Sequence, residues 1–122
     1  MDGSKYDSLR IENQLCFPLY AASREIIRTY RPFLDRIDLT YTQYITMMVL
    51  WEYGKISAKE LGEKLFLDSG TLTPVLKSLE SKGHILRTRS SEDERVLIAE
   101  LTAQGEELKE KALLSLRRCR AA

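Results

Sequence analysis

At 122 residues the chain has the length of one domain or one subunit of a larger assembly. Its apolar fraction of 43% suits a globular protein with a modest core, and no apolar run is long enough to span a bilayer. With a net charge of +1, global charge says nothing for or against nucleic acid, so any DNA-binding face has to be a local patch.

The opening "MDGSKYDSLR" has no apolar segment of the kind that opens a secretory signal. Cys16 and Cys119, the two cysteines, stand at opposite ends of the chain and form no disulfide framework. No CxxC or Cys/His cluster suggests a metal, and no cofactor is expected. These features predict a cytoplasmic protein with reduced thiols and no membrane partner.

The first predicted helix runs roughly from Tyr6 to Arg31, with Leu15, Leu19, Ala22, Ile26 and Tyr30 recurring at steps of three and four. Pro18 falls inside this pattern and should kink the helix, and Pro32 should end or bend it. A short turn, "PFLDRIDL", follows. Thr40 or Thr42 then caps a second helix, "QYITMMVLWEYG", which stops at Gly54. "SAKE" (Ser57 to Glu60) reads as a capping box that opens a short helix, "AKELGEKLF". In "LDSGTLTPVLKSLESKG", Asp68 or Ser69 caps a further helix. Leu72, Val75, Leu76 and Leu79 form its inward face, and Gly83 supplies the stop. Two short helices joined by a tight polar turn make a helix-turn-helix. Two strand-like runs, "HILRTR" and "RVLIAEL", flank the polar loop "SSEDE" and make a two-stranded hairpin. Thr102 caps a last helix with Leu108, Ala112, Leu113 and Leu116 on one side.

The expected fold is therefore mainly α with a small β-hairpin: a winged helix-turn-helix. On the second helix of the pair, Ser69, Gly70, Thr71, Thr73 and Lys77 face away from the apolar stripe. Hydroxyl side chains near a helix N-terminus can bond base edges or phosphates in a major groove, and Lys77 and Lys82 can meet phosphates. The hairpin adds Arg87, Arg89 and Arg95. An arginine at a wing tip suits the minor groove, and Asp93 can hold its guanidinium in place. The blander reading is a helical hairpin with a solvated charged face. Cap, turn, second amphipathic helix and basic hairpin in this order favour DNA.

The stretches "ENQLCF", "LYAASRE", "YRPFLD", "LTYTQY", "LWE", "LDSGTLTPVLK" and "SSEDERV" span about residues 9–102. In them the chain resembles MarR-family winged-helix transcription regulators, and most closely the organic hydroperoxide resistance regulators. The resemblance implies a single MarR-like domain over 1–122. Dimerisation helices would occupy about 6–38 and 102–122, and the winged helix about 40–101. It implies a homodimer that represses its gene from a pseudo-palindromic site on double-stranded DNA. An organic hydroperoxide acts as inducer by oxidising one cysteine. Carried onto this sequence, Cys16 is the sensing thiol and Tyr30 and Tyr41 are its phenol partners. Asp68, Ser69, Thr71, Asp93 and Arg95 form the DNA-reading group.

Helix geometry bears on the thiol site. Tyr20 lies one turn from Cys16 and can touch it within one chain. Tyr30 lies fourteen residues on, about 21 Å along the axis at 1.5 Å per residue, so it reaches Cys16 only from another subunit. Phenol O–H groups there favour a thiolate, which attacks a peroxide and becomes a sulfenic acid. The alternative for Cys16 is a small, inert core residue.

Three features depart from the family pattern. Relatives continue beyond Ala122 through further helix, which "LSLRRCRAA" does not resemble. Pro18 stands beside the thiol. Cys119 lies near where some relatives carry a resolving cysteine, or is a stray exposed thiol. Rival functions are a MarR-type repressor released by a small aromatic ligand, a thiol peroxidase, and a winged helix that binds only protein. An enzyme is not expected, because there is no recycling CxxC, and His84 marks a strand start.

Overall fold

The computed structural model describes residues 5–121 and the side chains of residues 5–119. The extreme ends of the expected 1–122 span lie outside them. The chain divides into two compact units, one ending at Arg31 and one beginning at Pro32.

In the first unit, the long helix expected from Tyr6 begins only at Cys16. Two 3-10 turns, Asp7–Leu9 and Ile11–Asn13, precede it. Polar side chains hold them: the Asn13 amide donates to the Asp7 carbonyl at 2.8 Å, and the Gln14 amide donates to the Ser8 and Arg10 carbonyls. Helix α1 then spans Cys16–Thr29. Pro18 therefore sits in the first turn, where backbone N–H groups have no intrahelical acceptor, and the expected kink has no cause. No residue of α1 is buried: Leu19 and Ile26, and Leu15 just before the helix, are each more than half exposed.

Helix α2, Arg31–Ile37, stands where the sequence predicts a turn, and all but its first residue belong to the second unit. Pro32 is tolerated as its second residue, and Phe33, Leu34 and Ile37 are buried. Asp38, with a left-handed φ of 54°, ends the helix. Helix α3, Tyr41–Tyr53, is capped by Thr40 in a full capping box with Gln43 and ends at Gly54, whose φ of 75° favours glycine. Strand β1, Lys55–Ser57, was not foreseen. Ser57 caps α4, Ala58–Leu65, by accepting from the Glu60 N–H; only the serine half of the expected box forms. Helix α5, Ser69–Ser81, is capped by Asp68, and β2, Ile85–Arg89, follows Gly83. Strand β3 spans Leu97–Leu101, and α6, Ala103–Ala121, starts behind Thr102, whose hydroxyl accepts from the Gly105 N–H at 3.0 Å.

The expected two-stranded hairpin is thus a three-stranded antiparallel sheet in the order β1-β3-β2. Ala99 lies between Ile56 on one side and Arg87 on the other. The core joins Phe33, Ile37, Met47, Leu50, Leu61, Leu76, Leu79 and Ile85. Leu72 is also buried, but Val75 is only partly covered, so the apolar stripe of α5 is narrower than its spacing suggests. On α6, Leu108 and Ala112 are buried while Leu113 is exposed. No helix among the described residues is long and apolar enough to cross a membrane.

Candidate nucleic-acid interface and thiol site

The turn between α4 and α5 is tight for a steric reason. A Cβ on Gly62 would stand 2.8 Å from the Leu67 carbonyl oxygen, which only glycine avoids. Leu67 N–H donates back to the Gly62 carbonyl at 2.9 Å. Asp68 then starts α5: its Oδ1 accepts from the Thr71 N–H at 2.8 Å. Hydrogen bonds from the Thr71 hydroxyl and N–H hold its carboxyl below the usual carboxylate range. Asp68, expected among the DNA-reading residues, is thus occupied as the cap that aims α5. Ser69, Thr71 and Lys77 are exposed on that helix, while the Thr73 hydroxyl donates to the Ser69 carbonyl.

On the wing, Arg95 is held as the spacing suggested. Its Nε donates to Asp93 Oδ1 at 3.1 Å and its Nη2 to Oδ2 at 3.2 Å, and its backbone N–H donates to Oδ1 as well. The side chain is 90% exposed, so the pair orients a cation without covering it. A groove of about 650 Å³ between α4, α5 and the wing is lined by Gly62, Phe66, Ser69, Leu72, Arg95 and Leu97 among others. The start of α5 and the wing arginine therefore share one concavity. Arg89 is exposed on the same hairpin.

Two residues expected on the DNA-facing surface, Arg87 and Lys82, have other partners. Arg87 donates through Nε and Nη2 to Glu80 Oε1 at 3.1 and 3.0 Å, which ties β2 to α5 and lowers the Glu80 carboxyl below its ordinary range. Lys82 donates to the Asp38 carbonyl at 2.6 Å and to Gln43 Oε1 at 3.0 Å. Neither pairing is legible in the sequence, because the partners belong to different elements and no periodicity links them.

Cys16 is the first residue of α1, and its free thiol is exposed, so the inert-core reading has no packing to support it within one chain. Tyr20, one turn on, accepts a hydrogen bond from Arg24 Nη1 at 2.8 Å. Tyr30 caps the other end of α1, so a single helix keeps it and Cys16 apart. In the second unit, Tyr41 is the first residue of α3 and lies edge-on to Tyr44 at 6.5 Å. Tyr44 in turn contacts Phe33 and Trp51. Cys119, a free and partly covered thiol, is near the end of α6.

Comparison with known proteins agrees with this architecture. The family model for the transcriptional regulator SarA/Rot matches residues 28–112. The organic hydroperoxide resistance transcriptional regulator of Bacillus subtilis is 52% identical over 110 residues, covering 90% of this chain and 75% of that protein. Among solved structures, overoxidised AbfR bound to DNA superposes with a TM-score of 0.83 at 37% identity, covering 95% of this chain and 85% of the other. AbfR of Staphylococcus epidermidis is also solved reduced on DNA, with a TM-score of 0.82, and in a disulfide-formed state, with a TM-score of 0.74. At 37% identity those two cover 95% and 94% of this chain, and 81% and 85% of AbfR. These relatives are regulators and not enzymes, and the expected MarR-like winged fold is borne out. The chain belongs to the SarA/Rot family of transcriptional regulators and, within the MarR-type winged-helix proteins, to the organic hydroperoxide resistance regulators.

Proposed function

We propose that the chain is a cytoplasmic DNA-binding repressor that works as a homodimer, senses organic hydroperoxides through Cys16, and then releases its operator. The observation that carries the reading is the pairing of two features in one chain. One is a winged helix whose wing arginine is pre-oriented by Asp93 beside the start of α5. The other is an exposed thiol at the start of an amphipathic helix with no buried residue. Ser69, Thr71 and Lys77 would enter a major groove, with Arg89 on the wing, while Arg95 would enter the adjacent minor groove. The exposed Leu19 and Ile26 of α1, with Leu15 just before it, suit a partner helix from a second copy. Packed antiparallel across a two-fold axis, that helix would bring the partner subunit's Tyr30 toward Cys16.

The chemistry follows from the thiol. The Cys16 thiolate attacks one oxygen of R–O–OH; an S–O bond forms, the O–O bond breaks, and the alkoxide leaves and takes a proton as the alcohol. Phenol donors from Tyr30 and Tyr41 would hold the thiolate before attack. Leu15, Phe17 and Leu19 around it would favour peroxides with apolar groups over hydrogen peroxide. A relative, AbfR, is solved overoxidised on DNA and also in a disulfide-formed state. This favours a second step in which the Cys119 thiol attacks the sulfenic sulfur, forms a disulfide and expels water.

A fluorescent operator duplex titrated with the protein before and after one equivalent of organic hydroperoxide tests the reading. Weaker binding after treatment, with the peptides of Cys16 and Cys119 joined by a disulfide, is the expected result. Undiminished affinity once Cys16 is oxidised would overturn it. Full release by Cys119→Ser would remove the resolving step alone.

A further inference from the structure

Gln43, in the stretch "LTYTQY", is only 7% exposed, and each end of its amide is occupied. The carbonyl Oε1 accepts from the Thr40 N–H at 3.1 Å and from Lys82 Nζ at 3.0 Å. The Nε2 donates to the Ser78 hydroxyl at 2.8 Å. An ammonium faces Oε1, so the amide can be placed only this way round. Thr40 belongs to the start of α3, beside Tyr41. Ser78 and Lys82 belong to the last turns of α5 and its C-cap. Lys82 also reaches the Asp38 carbonyl, so one amide joins the α2–α3 turn, the start of α3 and the end of the DNA-facing helix.

We propose that Gln43 is a positioning residue for the redox response. Its amide passes a shift at the Tyr41 end of α3 to the recognition helix α5. The proposal rests on the reading that Tyr41 partners the thiolate and that oxidation releases DNA. When the thiolate becomes a sulfenic acid or a disulfide, the Tyr41 phenol exchanges an anionic acceptor for a weaker neutral one, and the first turn of α3 is the backbone that carries the change. A capping box fixes Gln43 to that turn through two short bonds, so the amide moves with it. The Ser78 and Lys82 bonds follow and turn α5. Coupling of this kind needs differential contacts in the two states, and a half-covered hydrogen-bond network between two helices supplies them.

Ser78→Ala and Lys82→Met cut the links to α5 and leave the Thr40–Gln43 box intact. The quantity to measure is the ratio of operator dissociation constants, oxidised over reduced, with oxidation of Cys16 followed by mass. A purely structural role for these side chains would scale both constants together and leave the ratio unchanged. In the double variant the ratio should fall by about fivefold or more while Cys16 oxidises at the wild-type rate. Ser78→Thr, which keeps the hydroxyl, should retain the wild-type ratio. A wild-type ratio in Ser78→Ala and in the double variant overturns the proposal alone. A wild-type protein whose affinity does not change on oxidation overturns the underlying redox reading, and this proposal with it.

Discussion

Gly105→Ala should be among the most damaging single changes in the second unit, although it adds only a methyl group. Gly105 is the third residue of α6, where that helix crosses the start of β2. A Cβ there would overlap the His84 carbonyl oxygen and press on Leu101 Cδ2 at 3.0 Å. The His84 oxygen is backbone and already accepts from the Thr102 N–H at 3.1 Å, so it cannot rotate away. The Gly105 carbonyl accepts from Trp51 Nε1 at 2.9 Å, so moving α6 outward strains that bond too. Overpacking of this kind costs about 1–3 kcal/mol, and each weakened hydrogen bond about 1 kcal/mol, for a total of about 3–5 kcal/mol. Against a usual stability of about 5–15 kcal/mol, this removes a large share. Urea unfolding followed by Trp51 fluorescence, at matched protein concentration, should show the midpoint falling by about 2 M. Gly70→Ala is the control: its nearest neighbour is Asp68 Oδ1 at 3.9 Å, and alanine in a helix should stabilise by about 0.5–1 kcal/mol. A Gly105→Ala midpoint within about 0.3 M of wild type would refute the close-approach argument.

Arg95→Ala should weaken operator binding and flatten its salt dependence by about one unit of slope, since one groove-bound cation is lost; an unchanged slope counts against the wing contact. Thr71→Ala should reduce discrimination between operator and random duplex, whereas equal losses on both would mark Thr71 as a support of the Asp68 cap. His84 is buried, its Nδ1 lacks a hydrogen-bond partner among the described residues, and burial first, then the Lys82 charge, lowers its pKa below 6.5. The unfolded chain therefore binds the proton more readily, so this stability is present above about pH 6.5 and is lost as pH falls through the lower folded value. Denaturation midpoints between pH 7 and pH 5 should fall for wild type and stay flatter for His84→Gln. Mixed dimers test the shared thiol site. With Cys16→Ser on one chain and Tyr30→Phe on the other, the surviving Cys16 should react at the wild-type rate. With both changes on one chain it should react more slowly, and equal rates would rule out a cross-subunit Tyr30.

Much of the fold could be read locally because the punctuation is local. Thr40, Asp68 and Thr102 cap the helices they precede, and Gly54 and Gly83 carry the positive φ that stops a helix. The start of α1 is not legible because Ile11 and Leu15 continue the apolar spacing into segments whose polar side chains favour 3-10 turns. Strand β1 is three residues long, too short to show alternation, and exists because β3 offers an edge. At the candidate interface, the Asp93–Arg95 pair was legible at a separation of two residues. The Arg87–Glu80 and Gln43–Ser78 pairings were not, because only the packing of α3, α5 and β2 brings those groups together. The exposure of Cys16 was likewise hidden: helical spacing marks an apolar face but not whether that face is covered within one chain.

The measurement that bears most directly on the central claim is operator binding by Cys16→Ser with and without an organic hydroperoxide. The substitution removes the only atom at that position able to become a sulfenic acid and leaves the winged helix untouched. The variant should bind the duplex as the reduced wild type does and hold it after peroxide treatment, at concentrations that release the wild type. Release of DNA by Cys16→Ser with the wild-type dose dependence would contradict the claim.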